Sequence, residues 1–322
     1  MSNNLKISRE IIWLVGAGEL AFEYHKVLKF LNKNHLVIGR SKKSANNFMK
    51  MSNVKVFEGG LTKFLKTSPQ IASKAIIAVN IEQLSPVCIE LIKYNVKNIL
   101  IEKPGGINFN EVKKLNKLAK EKKINIKVAY NRRYYSSTIL AKKLIKRDGG
   151  VQNFNFEFTE WTQKISQLRK SEKVLKNWFF ANSTHVVDLA FFLGGVPSKL
   201  NSFVLDKNTW NGSPAVFGGA GKTKEGAVFS YHANWKSAGR WSLELQTAKG
   251  KYILCPLEKL FFQKRGSLEK QEIKLNSKFD KNFKPGLYKQ IKAFNNDIDN
   301  SLLSLKEHCL MSSIYRKISR GN

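Results

Sequence analysis

Short apolar runs recur through the first part of the chain, at residues 11–15, 35–38, 54–57, 75–79, 99–101 and 125–129. Runs with little polar alternation predict strands buried on both faces of a parallel sheet. Helical spacing fills the gaps between them. Leu20, Tyr24, Val27, Leu28 and Leu31 fall on one helical face. Ser85 is placed to cap a helix that has Pro86 at its first position and runs to about Tyr94, and residues 109–123 form another. Strand and helix in regular alternation imply a doubly wound parallel sheet with right-handed crossovers, ending near Tyr130.

Beyond that point the pattern changes. A helix over residues 136–147 is closed by Gly149-Gly150, and long alternating strands follow at 152–159, 226–235 and 241–247, the last paired with 252–256. Phe154, Phe156 and Phe158 share one face. Two amphipathic helices, over 287–298 and 303–318, close the chain. The fold class expected is therefore α/β: an N-terminal Rossmann-type domain over residues 1–130, then an α+β domain over 131–322 with an open, mostly antiparallel sheet. The C-terminal helices are free to fold back on the first domain.

The first strand runs into Gly16-Ala17-Gly18-Glu19-Leu20-Ala21, a G-x-G-x-x-A turn opening a helix. The first glycine permits the tight turn, the second lets backbone approach a pyrophosphate, and the small Ala21 lets helix and sheet pack closely. Free N–H groups at the helix start suit phosphate oxygens. An NAD site usually carries an acid at the end of the second strand to hold the ribose 2′-hydroxyl. Here that end reads Gly39-Arg40-Ser41-Lys42-Lys43-Ser44, without a carboxylate. Arg40, Ser41 and Lys42 suit a 2′-phosphate, so NADP(H) is the expected cofactor and NAD(H) the alternative. Strand four ends at Val79 and Asn80, and strand five at Glu102-Lys103-Pro104. Ligands of such sheets bind outside the carboxyl ends of the strands, although Glu-Lys-Pro alone also reads as a strand ending in a solvated lysine.

Two more segments bear candidate chemistry. Ala129-Tyr130-Asn131-Arg132-Arg133-Tyr134 sits at the domain boundary. Residues 183–195 form a short helix that Ser183 or Thr184 is placed to cap and Gly194 to end. His185 and Asp188 share a face of it. Either the carboxylate holds the imidazole in one tautomer, or His185 helps cap the helix and Asp188 binds backbone.

Composition narrows the class. With 322 residues, 42% hydrophobic and 25% charged, the chain has material for two globular cores. It has no apolar run of bilayer length, so no membrane partner is expected. Met1 to Glu10 is polar, and the apolar run behind it is too short for a signal-peptide core. Cys88, Cys255 and Cys309 are scattered, which implies reduced thiols in a cytoplasm and no metal site. The net charge of +32 is spread along the chain. It reads as a lysine-rich solvated surface that helps collect phosphorylated ligands, not as a specific nucleic-acid interface.

Taken together, the turn at 16–21, Glu102-Lys103-Pro104, Tyr130-Asn131-Arg132-Arg133 and His185-Val186-Val187-Asp188 followed by Leu193-Gly194 resemble the Gfo/Idh/MocA oxidoreductases. The resemblance spans nearly the whole chain. It implies a nicotinamide cofactor in the first domain, and a second domain serving substrate and oligomer contacts. The substrate implied is a sugar, cyclitol or sugar nucleotide. The cofactor contacts implied are Gly16, Ala17, Gly18, Glu19, Leu20, Arg40, Ser41, Lys42, Val79, Asn80, Glu102 and Lys103. Lys103 would stand beside the nicotinamide and the reacting hydroxyl, with His185 as proton carrier. Asn131, Arg132, Trp178, Asn182 and His185 would contact substrate. A cis peptide before Pro104, and a homo-oligomer (dimer or tetramer) formed through the outer face of the second sheet, are also implied. One departure stands out: the position four before the histidine, a carboxylate in many members, is Ala181. A non-catalytic NADP-binding sensor on the same fold is the rival reading.

Overall fold

The computed structural model describes residues 11–208, 211–296 and 301–322. The polar segment before Ile11 and the end of the helix expected over 287–298 lie outside these residues. The chain forms two compact units. The first comprises residues up to Gly106, Asn110–Ala129 and Ile291–Lys306; the second comprises Ile107–Phe109, Tyr130–Gln290 and Glu307–Asn322.

Strands β1 (Ile12–Val15), β2 (His35–Gly39), β3 (Val56–Glu58), β4 (Lys74–Ile77), β5 (Asn98–Glu102) and β6 (Asn125–Ala129) build the first unit. They lie in the order β6-β5-β4-β1-β2-β3, all parallel. A final two-residue strand, Leu303–Ser304, pairs antiparallel with the outer edge of β6. Strands β1 and β4 are buried at every position, the apolar ones as a strand covered on both faces requires and Lys74 at the start of β4 with them.

Three local details depart from the sequence reading. Residues 42–44, for which the sequence reading named no helix, begin one over Lys42–Ser52, with the Ser41 hydroxyl accepting from the Ser44 amide at 3.3 Å. That helix buries only Ala45, Phe48 and Ser52, so its apolar signal is faint. A further short helix covers Gly60–Leu65. The helix after β4 begins at Ile81 with Asn80 as its cap residue, which leaves Pro86 inside it and not at its start. Its first turn is set by the end of β4 at Ile77, two residues earlier than the apolar run suggests.

The second unit holds β7 (Asn153–Glu157), β8 (Pro197–Lys207), β9 (Pro214–Thr223), β10 (Val228–Asn234), β11 (Ser242–Gln246), β12 (Gly250–Leu254), β13 (Phe261–Lys264) and β14 (Gln271–Glu272). Their order is β14-β13-β12-β11-β7-β10-β9-β8, antiparallel except for the β7–β10 pair. Phe154 and Phe156 of β7 stack on Phe229 and Tyr231 of β10. Phe191, from the helix Thr184–Gly194, lies edge-on against Phe154, Phe156 and Phe229. This aromatic contact fixes the helix that carries His185 over one face of the sheet. Strand β9 is rich in glycine for a packing reason: a side chain at Gly219 would collide with the Tyr231 hydroxyl, which donates to the Ser202 hydroxyl at 2.7 Å. The terminal helices cover Leu287–Asn295 and Leu305–Arg320. No helix among the described residues is long and apolar enough to cross a membrane.

Candidate active site

In the first unit, β1 delivers its backbone into the glycine turn. The Gly16 amide donates to the Ile38 carbonyl and the Ala78 amide to the Val15 carbonyl, which ties the turn to its neighbouring strands. Gly16 has φ +131, and a Cβ there would strike the Ala78 carbonyl, so only glycine fits. Ala17 is buried, whereas Gly18 and Glu19 are exposed and Leu20 half-buried. A Cβ on Gly18 would meet nothing within 4 Å, and Gly18 caps the helix Glu19–Phe30 with no side-chain hydrogen bond. The turn thus leaves open backbone and helix amides side by side, which is what a dinucleotide phosphate needs.

Arg40, Ser41 and Lys42 are exposed at the end of β2 and the start of the following helix. That helix has no acidic residue in its first turn. Glu58 of β3, which the sequence reading passed over, stands in register opposite Gly39. Val79 is half-buried and Asn80 exposed after β4. At the end of β5 the Glu102 carboxylate is buried, accepting from the Tyr24 hydroxyl at 2.6 Å and from the Lys103 amide at 3.2 Å. Burial raises the Tyr24 pKa, and the Glu102 charge adds to the effect. The Lys103–Pro104 peptide is cis, and the Gly105 amide donates back to the Glu102 carbonyl. Lys103 therefore leaves a backbone braced on both sides.

In the second unit, His185 sits in the first turn of the helix Thr184–Gly194 and is 6% exposed. Its ring meets Tyr130 edge-on at 5.7 Å and lies 6.1 Å from Trp241. Tyr130 also packs on His308, 5.5 Å away in the last helix. Burial raises the Tyr130 pKa, so the phenol stays protonated beside the imidazole.

The turn before His185 is a π-turn, Phe179–Ser183. Wide turns of this kind are frequent at functional sites. It changes two expectations. Neither Ser183 nor Thr184 caps the helix: the Ser183 hydroxyl donates to Glu160 at 2.9 Å and the Thr184 hydroxyl to the Phe180 carbonyl. Asp188 does not orient the imidazole either. It accepts from Arg133 Nε at 2.7 Å and Nη2 at 2.6 Å, a bidentate pair between elements far apart in the chain.

Ala181 is buried, and the carboxylate at this turn is Glu160, just beyond β7. Glu160 accepts from Asn182 Nδ2 and Ser183 Oγ at 2.9 Å and from Arg240 at 3.3 Å. Burial raises its pKa, while those three donors oppose the rise. Asn131 donates its amide to the Pro285 carbonyl. Arg132 lies over Trp241, and Trp178 is half-buried. Of the residues named from sequence, the structure joins Arg132, His185 and Asn182 through Trp241, Arg240 and Glu160, none of which sequence reasoning singled out. The only signal for Glu160 was an isolated acid in an aromatic strand end, Phe158-Thr159-Glu160-Trp161.

No family model matches the sequence, and no curated protein does. Solved structures match almost end to end. An NAD-binding oxidoreductase from Klebsiella pneumoniae is 14% identical, with 96% of each chain covered and a TM-score of 0.77. UDP-N-acetylglucosamine 3-dehydrogenase from Acidithiobacillus ferrooxidans is 14% identical, with 96% of each chain covered and a TM-score of 0.71. Levoglucosan dehydrogenase, solved with NADH and levoglucosan, is 17% identical over 96% of this chain and 95% of its own, with a TM-score of 0.75. The fold that the four motifs imply is the fold of these oxidoreductases.

Proposed function

We propose that the chain is a Gfo/Idh/MocA oxidoreductase. In this reading it prefers NADP(H) and moves a hydride between the nicotinamide and a hydroxyl or ketone of a sugar, cyclitol or sugar nucleotide. The observation that carries the reading is the strand–turn–helix over residues 12–30, with Gly18 open beside an uncapped helix start. Structures sharing the fold that are named for sugar substrates support the substrate class.

Nicotinamide supplies the hydride acceptor or donor when bound. The chain's own task is the proton. Without a base, an alkoxide forms at high cost, and general base catalysis is worth roughly 10²–10⁴-fold. His185 exchanges the hydroxyl proton, and Lys103 hydrogen-bonds the reacting oxygen. Asn131, Arg132, Trp178 and Asn182 are the further substrate contacts proposed.

The NADP preference rests on Arg40, Ser41 and Lys42. Lys42 and Lys43 open a helix with no acid in its first turn. Cations at the positive end of a helix dipole are unfavourable unless an anion joins them. Calorimetric titration is expected to show NADPH binding at least about tenfold more tightly than NADH, and the preference falling away in Arg40→Ala. Equal affinities in the native protein would remove it and favour NAD(H), with Glu58 at the ribose.

A sensor without turnover is the second reading, favoured by Ala181. A screen of keto-sugars and sugar nucleotides with NADPH separates the two. The protein partner proposed is a second copy of the chain: Phe203, Leu205 and Val228 stand more than half exposed on β8 and β10, an apolar surface that an oligomer would cover. Light scattering at micromolar concentration is expected to give a dimer or tetramer; a monomer counts against it.

A further inference from the structure

Arg132 and Arg133 are neighbours with different fates. Arg133 gives its charge to Asp188. Among the described residues no carboxylate lies within ion-pair reach of Arg132, and its Nε is buried without a protein acceptor. Burial is the main influence on this guanidinium and lowers its pKa; Glu258 and Glu160 favour the charge from a distance, and Arg240 opposes it. Arginine nonetheless stays protonated in proteins, so the site holds a partly desolvated cation.

Its surroundings amplify this. The Arg132 guanidinium lies 4.6 Å from the Trp241 ring centre, and so does that of Arg240. The Trp241 Nε1 is itself buried with no protein acceptor. Glu160, the carboxylate bonded to Arg240, also takes Asn182 and Ser183. His185 stands 6.1 Å from the same indole. The corner beside the histidine therefore presents two arginines on one ring, one committed acid, and two buried N–H donors that lack acceptors. A neutral hydroxyl brings a donor along with its acceptor oxygen and no charge; an ionised carboxylate or phosphate brings acceptors only, with charge.

We propose that the substrate of this enzyme carries an anionic group, a carboxylate or a phosphate, which Arg132 binds against Trp241 within reach of His185. This rests on the oxidoreductase reading for the role of His185, not for the anion site itself. It makes sugar acids and phosphorylated sugars the substrates, and plain sugars and cyclitols poor ones.

The test is direct binding to the full chain at low salt, using D-glucuronate, D-glucose 6-phosphate and D-glucose, which share a ring and differ in charge. At least one anionic sugar is expected to bind tenfold or more tightly than D-glucose, and which one decides between carboxylate and phosphate. The advantage should shrink with added salt and vanish in Arg132→Met. Trp241→Phe, which keeps a ring and removes the N–H, should weaken the anion several-fold and guards against a folding defect in the arginine variant. No preference for either anion, or a preference that survives Arg132→Met, overturns the proposal. Anion binding without turnover of any sugar would instead sink the oxidoreductase reading and leave this site standing. Turnover of D-glucose matching that of the charged sugars would do the reverse.

Discussion

Asp188→Ala is expected to cost about 3–5 kcal/mol of stability, because it strips the partner from a buried charge. Arg133 is only 12% exposed at its side chain and Asp188 2%. Burial alone would lower the Arg133 pKa, but Asp188 more than reverses that and lifts it above its ordinary value. The two short charge-assisted bonds join the turn Asn131–Tyr134 to the helix Thr184–Gly194. Asp188→Asn keeps one acceptor and should lose less. Replacing both partners, as in Arg133→Met with Asp188→Leu, should recover most of the loss, since apolar pairs of similar volume are often neutral in such sites. Urea unfolding read by tryptophan fluorescence decides it. A loss below about 1 kcal/mol in Asp188→Ala would show that water reaches the pair and that it counts as a surface bridge.

His185→Asn is expected to lower kcat by about 10²-fold or more while cofactor affinity stays nearly unchanged, the signature of a lost proton carrier. Lys103→Met should do comparable harm by removing a charged hydrogen bond at the reacting oxygen. Cofactor affinity is read from quenching on NADPH titration, and turnover from nicotinamide absorbance with the best substrate of the screen. Full turnover in both variants would remove the mechanism. Ala181→Asp adds a discriminating outcome. A gain in rate would show that only a base is missing from the turn. A loss would show that the Glu160 network, which already holds Asn182 and Ser183, has no room for a second buried acid.

The inner strands β1, β4 and β5 of the first unit were the most legible, because residues buried on both faces leave apolar runs. The helix Lys42–Ser52 was not, because only three of its residues face inward. Strands β8 and β9 were hidden for a different reason. Glycines at 218, 219 and 221 of β9 carry no side chain from which to read alternation, and at 219 and 221 Tyr231 and Phe229 of neighbouring β10 leave no room for one. At the site, the glycine turn and His185 could be found from local pattern. The partner of Asp188 could not, since Arg133 lies 55 residues away and only the tertiary fold brings it near. The same holds for Glu160 and Trp241, whose importance lies in what they touch.

The two-residue strand Leu303–Ser304 bears on how the protein is made. It supplies the outer partner of β6, yet the whole second sheet is translated between the two. At ~5–20 residues per second, the interval is on the order of ten to thirty seconds. Throughout it a growing chain carries a parallel sheet in which β6 is a raw edge, the kind of template on which another chain's strand can dock. Lys127, at the centre of that edge strand and later opposite Ser304, is the sort of charge that discourages such pairing while the chain is still on the ribosome.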